Sequence, residues 1–177
     1  MNRQRQVLQR AGTVESNAVR IDVEKAEQVV EALNADLAAT YVLYHQLRKH
    51  RWTVGGAQSR ELRRFFSRAA ANAEAATDAF AGRVGALGGV PVNGPGAFER
   101  HSPVPFEGED VYDARTSLEN DLEAYGDLIE SVSSHIEFAE SLGDHTTGHV
   151  LRERLVGFEE DAQAITRLLA HDSLTLW

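Results

Sequence analysis

From Val23 onward, apolar or small residues recur at Ala26, Val30, Leu33, Leu37, Tyr41, Tyr44 and Leu47, in alternating steps of three and four. That spacing predicts a long helix with one buried stripe. The pattern returns at Leu62, Phe66, Ala69, Ala73, Ala76, Phe80, Val84 and Leu87, then stops at Gly88-Gly89 as a helix C-terminus does. A third stretch runs Leu118, Leu122, Tyr125, Ile129, Val132, Ile136 and Ala139. A fourth runs Leu151, Leu155, Phe158, Ala162, Ile165 and Leu169, with Asp144 placed to cap its start. Tyr41, Tyr44, Phe66 and Phe80 lie on these stripes and read as core. The class is all-α.

The connections between the four helices are unequal. All four prolines (Pro91, Pro95, Pro103, Pro105) fall between the second and third, in GVPVNGPGAFERHSPVPFEGED, where neither a long helix nor a central strand survives them. The first and third connections are short turns, which join antiparallel neighbours. The middle one, roughly 22 residues, reaches about 70 Å when extended, more than the ~45 Å of a 30-residue helix. The third helix is therefore expected to start at the far end of the bundle and run parallel to the second, giving a four-helix bundle with one long crossover. An all-antiparallel bundle with an idle loop is the competing topology, and long structureless loops disfavour it.

Charge changes this picture in two places. The chain of 177 residues carries a formal net charge of -9, with 27 acidic residues against 18 basic ones, and only Lys25 and Lys49 of the latter are lysine. An acidic, lysine-poor surface fits a salt-rich cytoplasm, though a GC-rich genome also favours arginine. The net field repels nucleic acid unless a basic patch overrides it; Arg3, Arg5 and Arg10, with Arg20 against a lone Glu15, are the candidate patch. The expected organisation is a flexible N-terminal arm over 1–20 and one bundle domain over 21–177, the arm being either a solvated tail or a DNA-contacting element. The N-terminus MNRQRQVLQR lacks the apolar segment of a secretory signal, and no apolar run is long enough to span a bilayer, so a soluble, cytoplasmic protein is expected.

The second place is the segment from Arg48 to Arg68, where seven basic side chains crowd the end of the first helix and the start of the second. Several chemistries are excluded at once. There is no cysteine for disulfides, thiolate metal sites or a thiol nucleophile. No P-loop and no G-x-S-x-G elbow occurs. A di-iron centre inside a four-helix bundle needs Glu-x-x-His on two helices, and no histidine here has glutamate three residues before it.

YHQLRKHRWTVGG, the heptads that follow it, RVGALGGVP, the proline-rich crossover, ENDLEAYGDLIES and LGDHTTGHVLRERL together resemble the Dps family, the ferritin-like proteins of starvation and oxidative stress. The resemblance covers about residues 25–170 and is closest to the branch from salt-loving archaea. It implies a ferritin-like four-helix bundle, a dodecameric homo-oligomeric shell, and Fe(II) oxidation by peroxide at sites shared across a twofold interface, with DNA binding in some members. It also implies where the iron ligands should stand. The family's first histidine position is Arg51, before Trp52; its second is Arg63; a usual carboxylate is Ser67, beside Arg68. The partner subunit's aspartate and glutamate positions are Asp78 and Gly82, of which only Asp78 keeps a ligand side chain. Asp144, His149 and Glu153 match positions lining the family's threefold pore; a capped polar helix start with exposed histidines is the plainer reading of the same residues.

Guanidinium has no lone pair for a metal and stays charged. The expectation is a cage-forming stress protein without the usual ferroxidase centre, structural, sequestering or co-assembling with an active relative, in which the ion pair of Arg51 or Arg63 with a neighbouring Asp78 replaces the metal. No cofactor is certain, and iron is possible through the residual acids Glu74 and Asp78. Two other readings stand beside it: iron oxidation and storage through a displaced acidic site that includes Glu74 and Asp78, and a nucleoid-binding protein using Arg3, Arg5 and Arg10. Neither involves a membrane.

Overall fold

The computed structural model describes residues 6–170, whose regular structure is entirely helical: α1 (Val23–Thr53), α2 (Ser59–Ala86), α3 (Pro95–His101), α4 (Ala114–Ser141) and α5 (His145–Leu169). Three of the four long helices start on an aspartate whose carboxylate accepts from a backbone N–H of the first turn. These are Asp22 from Glu24, Asp113 from Thr116 and Asp144 from Thr147. Asp144 therefore caps α5 as its position suggested. None of these helices is long and apolar enough to cross a membrane.

α1 packs against α2, α3 and α4, and α5 packs against α2 and α4, so α1 and α5 occupy one diagonal of a square and α2 and α4 the other. Buried Ala69, Ala70, Ala73 and Ala76 give α2 a small-residue face that lets α1 approach closely, while Leu33, Leu37, Phe66, Phe80, Tyr125 and Phe158 fill the centre. Phe66 and Phe80 are core as expected. Tyr41 and Tyr44 are only half-buried, because each has a polar or aromatic partner at the edge: Tyr41 stacks on Phe98 of α3 with ring centroids 4.4 Å apart, and the Tyr44 hydroxyl accepts from Arg48 Nη1 at 2.7 Å.

The crossover travels the length of α1 and is fastened to it at successive heights. Asn34 brackets its start, donating to the Val90 carbonyl at 3.2 Å and accepting from Val92 N at 3.0 Å. α3 begins at Pro95, where a missing N–H costs nothing, and lays Phe98 on Tyr41. Glu107 then reaches Lys49 and His50 at the other end of α1. Consequently α4 starts beside the end of α1, antiparallel to it and parallel to α2. The single long crossover is the topology of the chain.

Gly88, at φ +83°, makes the turn out of α2, and a Cβ there would lie 2.3 Å from the Glu15 carbonyl oxygen. The Gly88 carbonyl accepts from Glu15 N and from Gln9 Nε2, each at 2.9 Å. The expected flexible arm is thus tied to the bundle at two points within 6–20.

Candidate functional site

The last turn of α1 and the first turns of α2 bring three of the mapped ligand positions together. Arg51 Nε donates to Ser67 Oγ at 2.7 Å, Ser67 Oγ donates to the Arg63 carbonyl at 2.8 Å, and Arg63 Nη2 donates to the Val54 carbonyl at 3.2 Å. Arg51 and Ser67 line a shallow depression of about 250 Å³ with Tyr44, Arg48, Ala70, Ala71 and Glu74. The Arg48 guanidinium lies 5.1 Å from the centre of the Trp52 ring, which is 62% exposed.

Among the described residues, no carboxylate lies within 4.0 Å of the Arg48, Arg51 or Arg63 side chains. The face is cationic, planar in its donors and open, which suits an anionic oxygen acceptor and repels a divalent metal.

Asp78 and Gly82 lie further along the same helix. Asp78 stands eleven positions beyond Ser67, about 16 Å of helix rise, so one chain does not bring Asp78 to Arg51. Gly82 is exposed, with open space where a Cβ would be. Nothing in the packing of one chain requires glycine there. Glu74 faces the arginine depression and Asp78 is exposed; among the described residues no three His, Asp or Glu side chains are grouped to hold a metal.

Asp144, His149 and Glu153 share the start of α5 but not one role. Asp144 is turned inward: besides capping Thr147 N it accepts from Arg83 Nη2 at 2.7 Å and from the Thr147 hydroxyl. His149 and Glu153 are exposed, so of the three only these two are free to face another molecule. Removing the Asp144 carboxylate leaves Arg83, whose side chain is only 9% exposed, with the neutral Thr147 hydroxyl in place of a countercharge. Asp144→Ala is expected to cost about 3–5 kcal/mol, read as a lowered denaturant midpoint, whereas His149→Ala should change the unfolding free energy by no more than about 0.5 kcal/mol. Of the arm candidates, Arg10 is exposed and Arg3 and Arg5 lie outside the described residues.

Sequence reasoning missed a set of buried carboxylates. Asp36 accepts from Ser131 Oγ at 2.7 Å and from His135 Nδ1 at 2.9 Å. Asp121 accepts from Gln46 Nε2 and from His50 Nδ1, both at 2.9 Å. Asp161 accepts from Asn72 Nδ2 at 3.0 Å, Tyr125 Oη at 3.2 Å and Arg68 Nη2 at 3.3 Å. Burial raises the pKa of Asp36 and Asp121 despite their histidine partners. It also drives the Tyr125 phenol well above its ordinary value, with the Asp161 charge adding to the shift. Each of these carboxylates already has two or three donors, so none is offered to a metal inside the bundle.

The Asp36 and Asp121 units are the same unit twice. On α1, Asp36 precedes Gln46 and His50; on α4, Asp121 precedes Ser131 and His135 at identical offsets, and each aspartate pairs with the other helix's histidine. Asp121 and Asp161 stand on the apolar stripes at Leu118–Tyr125 and Phe158–Ile165, a signal available in the sequence.

A ferritin-like domain model matches residues 30–174. The chain is 52% identical over 175 residues to the DNA protection during starvation protein of Halobacterium salinarum, covering 98% of this chain and 96% of that one. It is 34% identical over 170 residues to the nutrient stress-induced DNA-binding protein of a Synechococcus species, covering 96% and 97%. The crystal structure of an archaeal Dps homologue from Halobacterium salinarum superposes with a TM-score of 0.92 over 97% of this chain and 96% of its own, at 52% identity. DpsC from Streptomyces coelicolor superposes with a TM-score of 0.91 over 94% and 97%, at 25% identity. An all-helical bundle with one lengthwise crossover, matched in sequence and shape along nearly its whole length, makes this chain a member of the Dps family of ferritin-like proteins.

Proposed function

We propose that the protein is a shell-forming stress or starvation subunit whose intersubunit iron-oxidising centre has been replaced by a protein–protein contact. It builds a dodecameric homo-oligomer, or co-assembles with an active relative, and contributes structure and sequestration in the cytoplasm. The observation that carries this reading is the 2.7 Å bond from Arg51 Nε to Ser67 Oγ. Two positions that should meet over a metal are bonded directly to each other, one as a permanent cation. Arg63 holds a backbone carbonyl instead of a metal, and Gly82 has no side chain to offer.

Native mass in high salt tests the assembly. The expected result is a particle about twelve times the 19.5 kDa chain; a monomer or simple dimer would remove the shell.

The relatives named for DNA protection and DNA binding support a second reading, a nucleoid protein acting through Arg3, Arg5 and Arg10. It predicts retention of duplex DNA that falls steeply with salt and disappears when these three arginines are changed to serine.

A further inference from the structure

Both ring nitrogens of His50 face carboxylates. Nδ1 lies 2.9 Å from Asp121 Oδ2, and Nε2 lies 2.9 Å from both Glu107 oxygens. The imidazole is 1% exposed, Asp121 0% and the Glu107 side chain 7%, so no water stands between them. A neutral imidazole carries one N–H and one lone pair. With both carboxylates ionised, the arrangement is satisfied only when both nitrogens carry protons.

The remaining groups complete a charge-balanced cage. Lys49 Nζ meets Glu107 Oε2 at 2.6 Å and the Gly108 carbonyl at 3.0 Å; Asn120 donates to Glu107 Oε1 at 2.7 Å; Gln46 donates to Asp121 Oδ1. The Phe66 ring of α2 closes one side at 5.8 Å, and Tyr125, Tyr112, Glu123 and Asp127 stand around the Asp121 and Glu107 ends. Two cations, His50 and Lys49, balance two anions, Asp121 and Glu107.

The second copy of the unit supplies the contrast. His135 binds Asp36 as His50 binds Asp121, but it is 25% exposed and no second carboxylate faces it among the described residues. Its deprotonation keeps the Nδ1–H to Asp36 and costs no contact. Glu107, which the crossover delivers, is what makes His50 different.

We infer that His50 is a proton-operated latch that holds crossover residues 102–113 against α1 and α4. When the ring loses its proton, the remaining N–H stays on Nδ1, because Asp121 is on a rigid helix with no route to water. The bare Nε2 then opposes the Glu107 carboxylate at contact distance. Glu107 yields, since it sits on a strap and its Lys49 partner is long and partly exposed enough to follow it outward. The latch is closed while the ring carries both protons between ionised carboxylates, and it opens as pH rises through the folded His50 value. Burial alone would lower the pKa of His50, but the hydrogen bond and charge of Asp121, with Glu107 behind them, overcome it and raise the value. The sign follows: the contribution is complete below the ordinary histidine pKa of about 6.5 and is lost as pH rises through the folded value.

Hydrogen–deuterium exchange of the intact protein across residues 104–112, corrected for the intrinsic base-catalysed rate, reads the latch. In the parent, exchange should be slow below the folded His50 value and rise about tenfold per pH unit above it. His50→Gln should exchange fast at every pH. Glu107→Gln keeps the strap closed and removes the pH dependence, because its amide both accepts from an N–H and donates to a bare nitrogen, which covers the case in which His50→Gln fails to fold. His135→Gln should retain the parental profile. A flat parental profile, or an alkaline rise that survives in Glu107→Gln, would overturn the latch.

Discussion

Fe(II) oxidation by hydrogen peroxide is expected to run close to the protein-free rate in the presence of this protein. Loss of a single outer-shell partner of a metal ligand commonly costs about 10–100-fold in affinity or activity. Here four of the five inner positions (Arg51, Arg63, Ser67, Gly82) lack a suitable ligand, and two of the four are cations bonded elsewhere. The converse experiment is sharper. Arg51→His, Arg63→His, Ser67→Glu and Gly82→Glu together should restore saturable oxidation, at least about tenfold above the parent on that scale. Open space at the Gly82 Cβ position leaves room for the last change. Fast, saturable oxidation by the parent that disappears in Asp78→Ala would instead assign the chemistry to a displaced acidic site.

The second large effect concerns assembly. Arg51 spends only Nε on Ser67, and both terminal nitrogens of its fork stay available for a carboxylate. In the proposed shell that carboxylate would be Asp78 of a neighbouring copy. Asp78→Ala should then weaken the interface by about 3 kcal/mol, the lower range for stranding one member of a desolvated pair. The Arg51→Ala, Asp78→Ala double variant should cost less than the two single changes combined. Dissociation measured by native mass over a dilution series provides the four corners of the cycle. Strict additivity would leave the arginine cluster to a soluble anion.

The four long helices and the crossover were legible because apolar spacing and proline placement are local signals. The extent of α1 was less so: it runs on to Thr53 through Arg48, Lys49 and Arg51, since charged residues with good helix propensity extend a helix beyond its apolar stripe. α3 has no stripe of its own and takes its place from one contact, Phe98 on Tyr41. At the site, motif order located Arg51, Arg63 and Ser67, but the bond between the first and last depends on how α1 and α2 cross. Asp36, Asp121 and Asp161 escaped for a different reason: an aspartate on an apolar stripe announces a buried partner without naming it, and the partners come from other helices.

The repeated unit on α1 and α4 bears on why one chain makes this bundle. Its members are spaced fourteen residues apart on each helix, about 21 Å of rise, and the helices are antiparallel. A second α1 laid in the place of α4 would therefore set its own His50 against Asp36 and its own Asp36 against His50, with Gln46 supplying the extra donor both times. The aspartate–histidine register of α1 is self-complementary in an antiparallel pair, so this polar ladder does not distinguish α4 from a copy of α1. What distinguishes them is carried by the crossover: Glu107 on His50, Phe98 on Tyr41 and the Val90–Val92 backbone on Asn34 favour α4 over a duplicate of α1. The choice between folding and pairing is made by connectivity.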